Sequence, residues 1–153
     1  MHDNIKIICQ NKKANHDYFI QDTLECGIVL TGTEIKSIRL GKVSINDAYC
    51  YIEHNELLIS GMHIAKYSQG NLFNHDPDAL KKLLAHKKEI IRLNSKVMKE
   101  GITLIPLKVY LDKGLCKVEI ALAKGKKQYD KRETLKEKSI AKEMNKNNII
   151  KEV

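Results

Sequence analysis

ITLIPLKVYLDKGLCKVEIALA, residues 102–123, is the clearest β-hairpin in the sequence and decides the fold class. Leu107, Val109 and Leu111 alternate with other residues and answer Val118, Ile120 and Leu122 across a turn at Asp112, Lys113 and Gly114. A period of two predicts one buried face and one wet face, the wet one carrying Lys108, Lys117 and Glu119. Working outward, AYCYIEHNELLISGMHI (48–64) reads as two more strands meeting at His54 and Asn55. Residues 18–30 read as a strand in which Gly27 marks a bulge beside Cys26. TGTEIKSIRLG (31–41) predicts a short helix with Thr33 as N-cap, Ile35 and Ile38 on one face, and Gly41 at the C-terminal stop. Helical periodicity returns in residues 78–100, where Ile90, Leu93 and Val97 recur beside Met98 and Gly101 ends the run. The preceding HDPDALKKLLAHKKE reads as a second short helix or the same one bent. About six strands and two or three helices make a mainly β protein with flanking helices, whose short antiparallel strands favour closure into a small barrel.

The chain has 153 residues, enough for one domain with a real core plus an appendage. Its net charge is +8, of which residues 124–153 supply +5 from ten Lys/Arg and five Asp/Glu. The expected division is therefore a body over 1–123 and a basic C-terminal tail over 124–153. An excess of positive charge points to a polyanion, with nucleic acid ahead of a membrane, since no basic amphipathic helix rich in Trp or Phe is present. No signal peptide and no apolar run of spanning length are visible, so a cytoplasmic protein without a membrane partner is expected. Cys9, Cys26, Cys50 and Cys116 are widely spaced, form no C-x-x-C pair, and are expected as reduced thiols.

Catalytic signatures fail one by one. GIVLTG (27–32) has the glycine spacing of a phosphate loop, but Thr33 and Glu34 stand where Lys and Ser/Thr belong. The six histidines make no cluster of ligand spacing, so neither a metal nor a cofactor is expected. His75 and Asp76 read as a loop with an Asp-Pro turn rather than as a catalytic base and its orienter. What remains is a spread of basic, polar and aromatic side chains that can follow a phosphate backbone and stack on unpaired bases: a basic RNA-binding module.

NKKANHDYFI, ECGIVLTGTEIKSIRLGKVSINDAY, HDP followed by KKLLAHKKEI, TLIPLKVYL and AKGKKQYDKRE occur in the order seen in the SmpB family of bacterial SsrA-binding proteins, and the chain resembles that family from Asn11 to about Lys138. The resemblance implies an oligonucleotide-binding (OB)-type six-stranded antiparallel barrel and a role in trans-translation without catalysis. The partners it implies are tmRNA (SsrA RNA), elongation factor Tu and the stalled ribosome. It places the RNA-binding surface on Asn11, Lys12, Lys13, His16, Glu25, Leu84 and Lys117, with Gly125, Lys126 and Lys127, and a decoding-site motif on Asp130, Lys131 and Arg132. HDPDALKKLLAH departs from the family's Arg-rich pattern at Asp78, Ala79, Leu80 and Ala85. The tail, poor in a single apolar stripe, is expected to be disordered when free and helical in the empty mRNA channel. An RNA-processing enzyme or ribosome-maturation factor on a similar barrel is the alternative reading.

Overall fold

The computed structural model describes residues 5–68 and 74–126. Nine strands and three helices follow one another as β1 (Ile5–Gln10), α1 (Ala14–Asp17), β2 (Tyr18–Ile28), α2 (Gly32–Arg39), β3 (Val43–Ser44), β4 (Tyr49–Glu53), β5 (Glu56–Ser60), β6 (His63–Ile64), β7 (Lys81–Leu84), α3 (Lys87–Glu100), β8 (Thr103–Asp112) and β9 (Leu115–Gly125). Six of the strands close a ring in the order β8-β4-β5-β7-β2-β9, β9 returning to β8. Every pairing is antiparallel, β1 is added alongside β8, and β3 pairs with β6 in a separate two-stranded sheet. The fold is the mainly β barrel with flanking helices that the sequence implies.

The two tight hairpins fall where expected. His54 and Asn55 have φ of 52° and 65°, and Lys113 and Gly114 have 52° and 84°, so both residues of each turn are left-handed. Two-residue turns of that hand match the strand twist. Inside the ring, Leu104, Val109, Leu111, Val118, Ile120 and Leu122 from the 102–123 hairpin meet Leu57, Ile59, Leu83 and Cys26. Helix α3 contributes Leu93, fully buried, and stops at Gly101, whose φ of 65° suits glycine.

Four local expectations are corrected. Residues 81–84 form strand β7 rather than helix, with Lys81 and Leu83 inward and Lys82 and Leu84 outward, and α3 begins only at Lys87. The N-cap of α2 is Thr31, not Thr33: its hydroxyl accepts from Glu34 N, and Glu34 Oε1 accepts from Thr31 N at 2.8 Å. The bulge in β2 lies between Ile20 and Asp22, while Gly27 pairs regularly with Leu84 and Lys117. A Cβ on Gly27 would stand 3.4 Å from Leu84 Cβ, so the glycine answers a close approach rather than a bulge. Leu107, finally, does not line up with Val109 and Leu111. A second bulge between Pro106 and Lys108 shifts the phase of β8, and Leu107 joins Ile105, Ala121 and Ala123 in a small outer cluster under Ala14 of α1. The outer face of the hairpin is thus wet at one end and covered by α1 at the other. Strand β9 runs to Gly125, two residues past the expected boundary, and the tail expectations lie outside the described residues.

All four thiols are free, Cys26 and Cys50 being buried. Burial, and secondarily the Glu89 and Glu25 charges, push the Cys26 thiol up to about 12. Burial does the same for Cys116, with the neighbouring Cys9 adding to it. A thiol of raised pKa keeps its proton in the folded state after the unfolded state has lost it. The thiols therefore favour folding below the ordinary value of 9.0 and progressively withdraw that support as pH rises toward about 12. At pH 8, iodoacetamide is expected to modify Cys26 and Cys116 more than about a hundredfold slower in the native protein than in urea. Equal native and denatured rates at Cys116, followed by peptide mass spectrometry, would contradict this burial.

Candidate nucleic-acid interface

The outer surfaces of β8, β9 and β2 form one strip, about 30 Å long from Tyr18 to Gly27 at the usual rise per strand residue. Pairing register sets its side chains in rows. Lys108 stands beside Glu119, Glu119 beside Glu25, and Tyr110 beside Lys117, which neighbours Gly27. Since Gly27 in turn pairs with Leu84, the expected residues Glu25, Lys117 and Leu84 come together although about 90 positions separate Glu25 from Lys117 in the chain.

At the centre of the strip the charges are linked. Lys117 Nζ donates to Glu25 Oε1 at 3.3 Å, and the Tyr110 hydroxyl donates to Glu25 Oε2. Lys108 Nζ lies 3.8 Å from Glu119 Oε1 and 5.7 Å from the centre of the Tyr110 ring. Burial, together with the Glu25 carboxylate that takes its hydrogen bond, raises the Tyr110 phenol well above its ordinary range. Two lysines and two glutamates thus leave this region close to neutral.

Beyond Lys117 the strip opens into an apolar hollow of about 430 Å³ between Gly27, Leu30, Ile35, Leu84, Leu115 and Cys116. Leu84 and Leu115 are 49% and 65% exposed there. At the opposite end lies α1. Asn11 is turned inward to the bulge of β8, its N–H donating to Leu107 O at 2.7 Å and its Nδ2 to Pro106 O at 3.3 Å. Its Oδ1 accepts from Lys13 N at 3.2 Å and so starts the turn that presents Lys12, Lys13 and His16. Lys12 and Lys13 are exposed, and neither forms an ion pair among the described residues. The His16 side chain is 82% exposed, with Nδ1 2.9 Å from Asp17 Oδ1. Gly125 pairs with Tyr18 at the end of β9. Lys126 Nζ donates to Asn15 O at 2.8 Å and sits 5.1 Å from the centre of the Phe19 ring, so its ammonium is held against α1. Lys127, Asp130, Lys131 and Arg132 lie outside the described residues.

The sequence reading missed Tyr110 and Phe19. Tyr110 looks like an ordinary strand former; only the register of the hairpin, which sets it opposite Lys117, gives it away. His75 is structural: Nε2 must donate to the Ile64 carbonyl at 2.9 Å, which leaves Nδ1 to meet the Thr33 hydroxyl at 2.8 Å. Asp76 instead accepts from Asp78 N within its own turn. Among the described residues no three His, Cys, Asp or Glu side chains gather to hold a metal ion, and no helix is long and apolar enough to cross a membrane.

Fold and strip together define an OB-like barrel, a class that binds nucleic-acid strands along its outer strands. The chain belongs to the SmpB family, whose model, described as SmpB protein, matches residues 8–150. An SsrA-binding protein of Halothermothrix orenii is 51% identical over 142 residues, covering 93% of this chain and 92% of the relative. One of Bacillus cereus is 55% identical over 139 residues, covering 91% and 90%. Both bear the name of a binding protein, and membership of their family makes the chain a binding factor rather than an enzyme. A chain from the structure described as "tmRNA-SmpB: a journey to the center of the bacterial ribosome" matches with a TM-score of 0.65 and 45% identity, covering 77% of this chain and 83% of that one.

Proposed function

We propose that this chain binds the tRNA-like part of tmRNA and accompanies it, with elongation factor Tu, to ribosomes stalled without a usable codon, so that the unfinished peptide is tagged and released. The setting is the cytoplasm. The body over 1–123, continued by the last residues of β9, holds the RNA, while the tail from 124 enters the empty mRNA channel with Asp130, Lys131 and Arg132 at the decoding centre. The observation that carries the RNA-binding part is the single strip joining Lys12, Lys13 and His16 at one end, Glu25 and Lys117 at the centre and Leu84 at the other. Sequencing the RNA that copurifies with the protein from its native cytosol tests it. Strong enrichment of intact tmRNA is expected; a different dominant RNA, or cleavage or modification of the bound RNA, would favour the processing or maturation reading instead.

The charge layout divides the labour. Lys117 is already paired with Glu25, whereas Lys12 and Lys13 have no such partner among the described residues, so the α1 end supplies affinity and the neutral centre supplies selectivity. Replacing Lys12 and Lys13 together by alanine is expected to lower the salt dependence of tmRNA binding by about two counterions. Lys117→Ala, which uncovers the Glu25 charge as it removes its own, should weaken binding with a change in slope below one. Binding isotherms at several potassium concentrations measure both; a larger slope change for Lys117 would reverse the assignment.

A further inference from the structure

We propose that Lys36 and Arg39 on α2, with Lys42 just beyond it, form a second phosphate grip on tmRNA, so that the RNA is held at α1 and at α2 with the neutral centre and the apolar hollow between; this rests on the RNA-binding function above. Lys36 and Arg39 stand three residues apart in the last turn of the helix, and both are exposed. Lys42, also exposed, follows the left-handed Gly41, and its N–H donates to Ser37 O at 3.0 Å, which folds it back over the helix end. None of the three forms an ion pair among the described residues. Acids are kept away from them. Glu34, the only carboxylate of α2, is buried against Lys81 at 3.6 Å. The segment alongside α2 starts at Ala65, whose N–H donates to Lys42 O at 3.0 Å, and continues to Tyr67, whose ring centre is 5.5 Å from Lys36 Nζ. From residue 65 to 75 the sequence contains no Asp or Glu and adds one more exposed cation, Lys66. Of the acids that follow, Asp76 accepts from Asp78 N, and Asp78 Oδ1 lies 2.8 Å from His63 Nδ1.

Cations in a last helical turn complement the helix dipole, which accounts for Lys36 and Arg39. It does not call for Lys42 and Lys66 beyond the helix end, or for a neighbouring segment free of acids. Continuity with the strip then selects the ligand. Ile35 lines the hollow, and Arg39, four residues on, lies on the same face of α2 about 6 Å further along the axis. A strand that leaves Lys12 and Lys13, crosses the near-neutral centre and passes Leu84 therefore meets positive charge again at Arg39. A guanidinium matches a phosphate with two parallel hydrogen bonds, while the Lys36 ammonium, steadied over the Tyr67 ring, acts as a point charge. One grip would leave the RNA free to swing about it; two separated grips fix its direction along the strip.

The experiment measures tmRNA affinity at several potassium concentrations for Lys36→Gln combined with Arg39→Gln. The double variant is expected to bind about tenfold more weakly, as befits loss of charge-assisted contacts, with a thermal midpoint within a few degrees of the parent. Its salt slope should fall by about two counterions. Exchanging the two side chains, Lys36→Arg with Arg39→Lys, keeps the charge and should keep the slope, whereas a merely structural role would lower stability and leave the slope intact in every variant. Lys96→Gln with Lys99→Gln removes two charges at the same spacing from α3 and controls for net charge. Added to Lys12→Ala and Lys13→Ala, the α2 changes should bring the total loss to about four counterions, since the two grips hold one RNA without touching each other. If the double variant does not fold, Lys42→Gln, outside the helix, should still remove about one counterion. An unchanged slope in these variants, or an equal change in the α3 control, overturns the proposal. Intact tmRNA binding with lost ribosome binding also overturns it, by giving this face to ribosomal RNA. Failure of the natural protein to bind tmRNA at low salt would instead overturn the function on which it rests.

Discussion

Glu34→Ala is expected to destabilise the protein by about 3–5 kcal/mol, because it strands a buried ammonium. Lys81 Nζ lies 3.6 Å from Glu34 Oε2, and the two side chains are only 2% and 6% exposed. Lys81 also donates to the Ala79 carbonyl. Glu34 serves twice, since its other oxygen receives the Thr31 N–H and closes the α2 capping box. The paired replacement Glu34→Leu with Lys81→Met removes both charges, so it should recover all but the cap's share of about 1 kcal/mol. Urea unfolding at constant slope measures each variant. A loss below about 1 kcal/mol for Glu34→Ala would show that the lysine finds another partner. The pair ties the start of β7 to the start of α2, and thereby holds Leu84 over Ile35 and Leu30 in the apolar hollow.

Changing Asp130, Lys131 and Arg132 together to alanine is expected to abolish peptide tagging on stalled ribosomes while leaving affinity for isolated tmRNA within about twofold. The strip that receives the RNA in our proposal lies on β2, β8, β9 and α1, upstream of these three positions. Reconstituted translation on a message lacking a stop codon reads the tagging, and gel shift reads the binding. Tagging at the parental rate would remove the decoding-centre role from this segment. A parallel loss of tmRNA affinity would merge the two functions into one surface.

The barrel was legible wherever a local rule and the global fold agreed. The turns at His54-Asn55 and Lys113-Gly114 demand positive φ, which His54, Asn55 and Gly114 accept readily, and the stops at Gly41 and Gly101 do likewise. Misreadings came where partners distant in sequence decide. DALKKLLAHKKE has helical composition throughout, yet residues 81–84 find open edges on β5 and β2 and become a strand that a one-dimensional pattern cannot foresee. The bulge at Leu107 was equally hidden, because its carbonyl and that of Pro106 are claimed by Asn11, some 95 positions away. The same bulge moves Ile105 and Leu107 to the outside, where α1 covers them. For the candidate site, the family motifs supplied most residues, but their grouping into a neutral centre and a basic end depends on register. Asn11 and Lys126 illustrate the difference, as each makes a contact within the protein that sequence alone does not display.

The place of β9 in the ring has a bearing on biosynthesis. Its first partner strand begins at Tyr18, and its last paired residue is Gly125. The ring therefore cannot close fully until nearly a hundred further residues have followed β2 out of the ribosome, a long-range pairing of the kind that forms slowly. Until then β2 and β8 each present an unpaired edge, and Val118, Ile120 and Leu122 are not yet there to fill the interior. A polypeptide cut short before β9 begins at Leu115, as from a broken message, would keep those edges open and offer itself to proteases and to aggregation.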